Sequence, residues 1–218
     1  MEKDFLNWIE EKVGKSSSIN KEAHGDQSDV YRIQTSTGNY FIKISLKSLE
    51  KERERLEWLK GKLPVPKVIG FTHINDKDVL LLSAIEGKNL KDLSKEWPVD
   101  KVIDNLVDVL HKFHAMDTKD FPFGALSANK VLVHGDACLP NFIFNGDIFS
   151  GYIDLGDVTI DDVEVDLAAA VSSLEYNKLG QGCELKFLQK YGVENPTEEI
   201  VKRLLLRYEK MQEVWGLK

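Results

Sequence analysis

Apolar positions recur at three- and four-residue intervals in several parts of the chain, which predicts amphipathic helices. The first lies over residues 4–13 and places four apolar side chains on one face: Phe5, Trp8, Ile9 and Val13. A wider stripe over residues 99–116 predicts a core helix, with these apolar members: Val102, Ile103, Leu106, Val109, Leu110 and Phe113. Other helices are predicted at residues 48–62, 88–96, 185–191 and 198–211, and one begins at Asp166.

Short runs of aliphatic and aromatic residues predict two groups of strands. The first group lies at residues 30–33, 39–44 and 79–83. The second group lies at residues 131–133, 142–144 and 152–153, and Asn145-Gly146 is a strong turn pair after the middle run. Polarity rises abruptly where the strands of the second group end, so polar side chains are expected at strand ends.

The composition suits one or two compact lobes with a hydrophobic core, since 42% of the 218 residues are hydrophobic and 30% are charged. A net charge of −7 argues against nucleic-acid binding and is compatible with a cationic substrate. The two cysteines, Cys138 and Cys183, have no metal-type spacing and suggest a reducing compartment. No apolar run reaches transmembrane length, and the N-terminal segment is too polar for a signal peptide. We therefore expect a cytoplasmic protein with no membrane partner.

Three oxygen-bearing side chains lie at the ends of the second group of strands: Asp136, Asn141 and Asp154. A kinase needs one carboxylate that orients and deprotonates the acceptor hydroxyl. It also needs a carboxylate and an amide oxygen that hold Mg²⁺ on the phosphates. The order Asp-x4-Asn, then Asp-x-Gly, therefore predicts phosphoryl transfer, with Asp136 catalytic and Asn141 and Asp154 as metal ligands. Three polar residues in ordinary turns are the alternative.

A candidate phosphate-binding lysine lies in the first half of the chain. The strand at residues 39–44 places Phe41 and Lys43 on one face, and a lysine between isoleucines is costly to bury unless its charge is met. A phosphate or a carboxylate could neutralise the charge of Lys43. Glu52 is a candidate carboxylate, because it lies in the inward stripe of the next predicted helix. Phe41 is placed to lie over a purine ring. A lysine that faces water from an edge strand is the alternative.

The turn before the predicted strand at residues 30–33 contains Gly25 and Ser28. A Gly/Ser loop between paired strands can cover phosphates with its backbone N–H groups, although an ordinary hairpin turn has the same composition. This loop is also a candidate part of the nucleotide site.

The motif His134-Gly135-Asp136 with Asn141, followed by Asp154-Leu155-Gly156, resembles the aminoglycoside phosphotransferases, which are relatives of the protein kinases. Residues 61–68 resemble the same segment of the 3′ members. The resemblance implies an α+β, two-lobed, protein-kinase-like fold. Residues 1–86 would form a nucleotide-binding lobe with a small five-stranded antiparallel sheet and one long helix. Residues 87–218 would form a mainly helical catalytic and substrate-binding lobe.

The same resemblance implies roles for individual residues. ATP or GTP would bind with Mg²⁺, and the hinge after the strand at residues 79–83 would offer backbone groups to the base at Ser83 and Ile85. Glu52 would pair with Lys43 and orient it toward the nucleotide phosphates. Gly25 and Ser28 would correspond to the Gly-x-Ser nucleotide loop of the family, with altered spacing. Asp166 would support the catalytic loop.

The implied activity is transfer of the γ-phosphate to a hydroxyl of a cationic aminoglycoside, of 3′ type, which confers antibiotic resistance; we expect a monomer or weak dimer. Members of the 3′ type usually carry a helical insert before the His-Gly-Asp strand, and this chain passes almost directly from Phe123 to Val131. Candidate acids for the substrate amines are Asp157, Asp161, Asp162, Glu175, Glu209 and Glu213. The alternatives are a kinase of a macrolide, choline, homoserine or methylthioribose, and a pseudokinase-like binding module.

Overall fold

The computed structural model describes residues 3–24, 28–124, 127 and 129–215. The chain separates into two compact units, Met1–Ile85 and Glu86–Lys218. The division lies one residue before the boundary expected between residues 86 and 87. Each unit has its own elements and core.

The first unit is built around an antiparallel sheet that has five strands within the described residues. Its elements in chain order are α1 (Lys3–Val13), β1 (Ser16–His24), β2 (Asp29–Thr35), β3 (Gly38–Ser45), α2 (Glu50–Leu59), β4 (Val68–Ile74) and β5 (Lys77–Ser83). The strands lie in the order β1-β2-β3-β5-β4, and all neighbours are antiparallel. The sheet expected in the first half of the chain is confirmed.

One face of this sheet packs against α1. The helical pattern is confirmed, since Phe5, Ile9 and Val13 are buried in a core cluster with side chains of the sheet that include Ile42 and Ile44. Side chains alternate between the two faces of a strand, so Lys43 lies on the face of β3 opposite to those isoleucines.

The helix α2 begins later than expected. It starts at Glu50 and not at Ser48, and Leu49 directly precedes it. The backbone N–H of Leu49 donates to Asp78 Oδ2 over 2.8 Å. A carboxylate on β5 therefore fixes the entry to the helix, a contact that the local sequence does not reveal.

The second unit is mainly helical. Its elements are β6 (Lys88–Asn89), α3 (Leu90–Leu93), α4 (Val99–His114), β7 (Val131–Val133), a 3₁₀ turn (Leu139–Asn141), β8 (Phe142–Asn145), β9 (Ile148–Tyr152), β10 (Thr159–Asp161), α5 (Glu164–Tyr176), α6 (Cys183–Tyr191) and α7 (Glu198–Trp215). β7 pairs with β10, and β8 lies between β6 and β9.

The predicted helix at residues 88–96 is corrected to a two-residue strand and the short α3. Lys88 pairs with Phe144 of β8, and the side chain of Asn89 accepts the N–H of Asp92 over 2.8 Å, which starts the helix later. The apolar stripe predicted for α4 is confirmed, because all six of its members are buried. Within the part of the chain that the structure describes, no helix has the length and apolar character needed to cross a bilayer.

Candidate active site

The carboxylate of Asp166 holds the turn that follows β7. This side chain is fully buried in the first turn of α5, which begins at Glu164. Its Oδ2 accepts the N–H of His134 over 2.7 Å, and its Oδ1 accepts the N–H of Gly135 over 2.8 Å. His114 Nε2 lies 2.9 Å from Oδ2 and donates to it, since an ionised carboxylate can only accept. The supporting contacts expected of Asp166 are confirmed.

Two residues of this network, His114 and Tyr191, were not identified from the sequence. Tyr191 OH lies 2.7 Å from His114 Nδ1. Burial, reinforced by the charge of Asp166, raises the pKa of Tyr191 to about 12. The phenol therefore keeps its proton and donates it to His114. A continuous chain of hydrogen bonds runs from α6 through α4 and α5 to the turn before Asp136.

Gly135 is required by the shape of that turn. Its φ is +89°, a region that favours glycine, and a Cβ at this position would lie 2.5 Å from the backbone oxygen of Asp157. A side chain here would force apart the turn that carries Asp136 and the segment that carries Asp157. This packing therefore requires a glycine at position 135.

Asp136 and Asn141 are joined directly. Asn141 Nδ2 donates to the backbone oxygen of Asp136 over 2.8 Å and to Asp136 Oδ2 over 2.9 Å. Both partners are acceptors, so the amide nitrogen must face Asp136 and the amide oxygen Oδ1 must face the other way. The side chain of Asn141 is buried, and it ends the 3₁₀ turn. The arrangement fixes one oxygen of Asp136 and directs one oxygen of Asn141 outward.

Ile153 connects Asp154 to the same loop. Its N–H donates to the backbone oxygen of Asn141 over 3.0 Å, and its carbonyl oxygen lies 3.1 Å from His134 Nε2. The N–H of Asp136 donates to His134 Nδ1 over 3.4 Å, so the proton of the imidazole lies on Nε2 and is donated to Ile153. Asp154 follows with φ +59° and an exposed side chain. The second unit thus brings Asp136, Asn141 and the backbone next to Asp154 together.

The donor set fits a magnesium ion that is bound partly by phosphate. Among residues 3–24, 28–124, 127 and 129–215, no three His, Cys, Asp or Glu side chains form a group that could hold a metal ion. Mg²⁺ usually takes only one or two carboxylates and completes its shell with water and substrate phosphates. One outward amide oxygen and one exposed carboxylate, from Asn141 and Asp154, match that requirement.

In the first unit, Lys43 and Glu52 form a close ion pair. Lys43 Nζ lies 2.6 Å from Glu52 Oε1, and the two side chains are only 13% and 8% exposed. The pairing predicted from the inward stripe of α2 is confirmed. A buried carboxylate that touches the ammonium on one side limits the positions that the lysine can take, so it can present the charge to an anion.

The other predicted nucleotide residues lie at separate positions in the first unit. Phe41 is half-buried on the same face of β3 as Lys43. Ser83 ends β5, where its Oγ accepts the N–H of Lys67 over 2.9 Å, and Ile85 is the last residue of the unit. Ser28 directly precedes β2, and Gly25 lies outside the described residues.

A cavity of about 240 Å³ is lined by residues of α5, of α7 and of the segment that follows Asp136. Tyr208 of α7 links the cavity to Asp136, because it lines the cavity and its hydroxyl lies 3.4 Å from Asp136 Oδ1. The remaining lining residues are Lys91, Cys138, Pro140, Ser172, Ser173, Tyr176, Asn177 and Gln212. This described lining contains no carboxylate and one lysine, so the cavity itself is not a cation site.

Two curated relatives align with this chain over most of their length. The chain is 27% identical to an aminoglycoside 3′-phosphotransferase of Niallia circulans, with 93% of this chain and 97% of the relative covered. It is 25% identical to one of Escherichia coli, with 87% and 84% covered. The alignment with the Niallia circulans relative runs over 255 positions, whereas this chain has 218 residues. The relative therefore has at least 37 residues in the aligned region that this chain lacks.

Solved structures show the same fold. Aminoglycoside phosphotransferase APH(3″)-Id of Streptomyces rimosus superposes with a TM-score of 0.76 at 19% identity, covering 95% of this chain and 97% of that one. An aminoglycoside-3′-phosphotransferase of type VIII gives 0.69 at 22% identity, covering 89% and 93%. The two-lobed, kinase-like α+β fold is therefore confirmed. Residues 20–130 and 124–202 match the family model described as "Phosphotransferase enzyme family", and the chain belongs to that family.

Proposed function

We propose that this phosphotransferase moves the γ-phosphoryl group of ATP to a hydroxyl of an aminoglycoside, with a 3′ hydroxyl as the expected acceptor. The contact that carries the proposal is the one between Asn141 Nδ2 and Asp136 Oδ2. It places a carboxylate that can take a hydroxyl proton next to an amide oxygen that can take a cation, in one preformed loop. The names of the curated relatives and the structural neighbours bound to streptomycin or hygromycin B support the acceptor class.

Each unit has a separate task in this proposal. Asp136 orients the acceptor hydroxyl and receives its proton, while Asn141 and Asp154 would hold Mg²⁺. The ion would neutralise charge on the phosphate oxygens. Lys43, held by Glu52, binds the nucleotide phosphates. The hinge residues Ser83 and Ile85, the ring of Phe41 and the loop with Gly25 and Ser28 complete the nucleotide site.

The acids that bind substrate amines are proposed to lie on α5 and α7, outside the cavity. Asp161 already lies 2.9 Å from Lys130 Nζ, and Asp162 Oδ1 accepts the N–H of Glu164 over 2.8 Å, so both carboxylates are used within the fold. Glu175, Glu209 and Glu213 are exposed on the two helices that line the cavity. They can meet ammonium groups while the cavity takes an uncharged part of the acceptor.

A second acceptor class is favoured by the lining of the cavity. A pocket with aromatic, amide and hydroxyl groups and the ammonium of Lys91 suits a hydroxylated molecule with little positive charge. The shorter chain, in comparison with the Niallia circulans relative, points the same way. The alternative is a kinase of a macrolide, choline, homoserine or methylthioribose; of these, the uncharged methylthioribose suits this lining best, whereas choline is a cation and does not.

The test is an ADP-release assay with ATP, Mg²⁺ and both classes of acceptor, with products identified by mass. We expect an aminoglycoside to gain one phosphoryl group. Asp136→Asn should lower kcat by about 10²–10⁴-fold and leave the Kd for ATP unchanged. Asp147→Asn makes the same chemical change at an exposed turn and should have no effect.

Three results would refute parts of this proposal. Turnover with only the other acceptors would replace the aminoglycoside assignment. Bound nucleotide without turnover of any acceptor would indicate a binding module. Full activity of Asp136→Asn would refute the role of the loop.

We also propose that the protein works in the cytoplasm as a monomer or weak dimer. Cys138 and Cys183 are unpaired, which supports a reducing compartment. Sedimentation of the purified chain would measure its oligomeric state.

A further inference from the structure

We propose that Tyr208 is a positioning residue that holds the carboxylate of Asp136 in its working orientation, an inference that rests on the proposed role of Asp136. The hydroxyl of Tyr208 lies 3.4 Å from Asp136 Oδ1, and Asn141 Nδ2 lies 2.9 Å from Oδ2. Each oxygen of the carboxylate thus has its own donor. A carboxylate held at both oxygens cannot rotate about its last bond without losing a hydrogen bond.

The direction of the contact follows from the surroundings of the phenol. Burial, followed by the nearby Cys138 and the charge of Asp136, raises the pKa of Tyr208, so the hydroxyl stays protonated across the working range. Cys138 Sγ is also 3.4 Å from this hydroxyl. A carboxylate oxygen is a far stronger acceptor than a sulfur atom, so the single phenolic proton is directed to Asp136.

The helix that carries Tyr208 is anchored one turn earlier. Arg203 donates to both carboxylate oxygens of Glu164 over 2.7 Å, and Arg207 adds a third contact at 3.2 Å. Glu164 opens α5, the same helix that supplies Asp166 to the catalytic turn. The helix that carries Tyr208 and the turn that carries Asp136 are therefore both attached to α5. This shared attachment restrains the distance between the hydroxyl of Tyr208 and Asp136.

Tyr208 also connects Asp136 to the acceptor cavity. Its side chain lines that cavity together with Tyr176 and Gln212. A hydroxylated molecule that enters the cavity meets the same side chain that restrains the base. The carboxylate oxygens retain further lone pairs for the acceptor hydroxyl, because an ionised carboxylate has about four acceptor positions.

The test is Tyr208→Phe, which keeps the ring and removes only the donor. We expect kcat to fall about tenfold, the factor that one hydrogen bond to a charged group provides, with an unchanged KM for ATP. Tyr152→Phe is the matched control, since its hydroxyl donates to the backbone oxygen of Val109 within the core and does not reach the catalytic loop. It should lower the melting temperature and retain kcat.

The outcomes separate this inference from the proposed function. A folded Tyr208→Phe protein with the kcat of the wild type overturns the positioning role. Equal losses of kcat in both variants, in parallel with melting temperature, would also overturn it, because the effect would then be one of stability. If Asp136→Asn retains full turnover, the role proposed for Asp136 fails and this inference fails with it, whereas a wild-type protein that turns over no acceptor would refute the proposed function itself.

Discussion

Replacing Asp166 with asparagine removes one oxygen and one charge from a side chain that has no contact with solvent. Three donors converge on it: the backbone N–H groups of His134 and Gly135 and the ring nitrogen of His114. An amide offers only one acceptor oxygen. The more favourable orientation of the asparagine amide places its oxygen where Oδ2 was, so that it still accepts from His114 and His134. The NH₂ group then points toward the N–H of Gly135, and two donors face each other.

The cost can be worked out from these contacts. An unpaired buried N–H costs about 1–3 kcal/mol, and each of the two remaining hydrogen bonds loses about 1 kcal/mol when its acceptor is no longer charged. The neutral amide is easier to bury than the carboxylate, so the lower part of that sum, about 3 kcal/mol, is the expected loss in free energy of unfolding. For a chain of this size the melting temperature should fall by about 6–12 °C.

Thermal unfolding of Asp166→Asn beside Asp161→Asn measures this effect. Asp161 is partly exposed and pairs with Lys130, so its substitution should change the melting temperature by no more than about 2 °C. Turnover of Asp166→Asn should also fall, since a displacement of about 1 Å at the base costs on the order of a hundredfold in rate. A melting temperature within 2 °C of the wild type, with normal kcat, would show that the buried carboxylate does not support the turn.

Three further predictions concern other parts of the fold. Gly135→Ala should destabilise the protein by about 1–3 kcal/mol in denaturant unfolding and lower kcat, because a Cβ at φ +89° meets neighbouring backbone. Glu52→Gln should raise the KM for ATP several-fold, whereas Glu57→Gln, at an exposed position of the same helix, should not. Arg203 holds the pKa of Glu164 below its ordinary value of 4.5, so the unfolded chain binds the proton more tightly and acid removes the stabilisation. The stability difference between the wild type and Glu164→Gln should therefore be full near pH 7 and shrink as the pH falls below 4.5.

The positions of the candidate site residues could be predicted because their signals are local. Asp136, Asn141 and Asp154 each border a short apolar run, and such runs end where a strand ends. Lys43 and Glu52 are nine residues apart and follow the alternation of a strand and the stripe of a helix. In each case a short-range period was enough to place the side chain.

The supporting residues could not be predicted for the opposite reason. His114 meets Asp166 across 52 residues of sequence, Tyr191 meets His114 across 77, and Tyr208 meets Asp136 across 72. No short-range period relates these positions, and a tyrosine in a helical stripe has the same pattern whether its hydroxyl reaches water or a carboxylate on another element. These side chains come together only because α4, α6 and α7 pack within the second unit.

The arrangement around Ile153 shows how the fold itself holds the loop that carries Asp136 and Asn141. Ile153, directly after β9, donates its N–H to the backbone oxygen of Asn141, and its carbonyl oxygen accepts from the imidazole of His134. The two turns that carry Asp136 and Asp154 are therefore joined by one backbone–backbone hydrogen bond and one hydrogen bond from the His134 side chain, neither of which depends on a cation. A preformed set of oxygens avoids the reorganisation that a flexible loop would need during phosphoryl transfer. If Asn141 and Asp154 hold Mg²⁺ as proposed, removal of the ion should leave the position of Asp136 nearly unchanged.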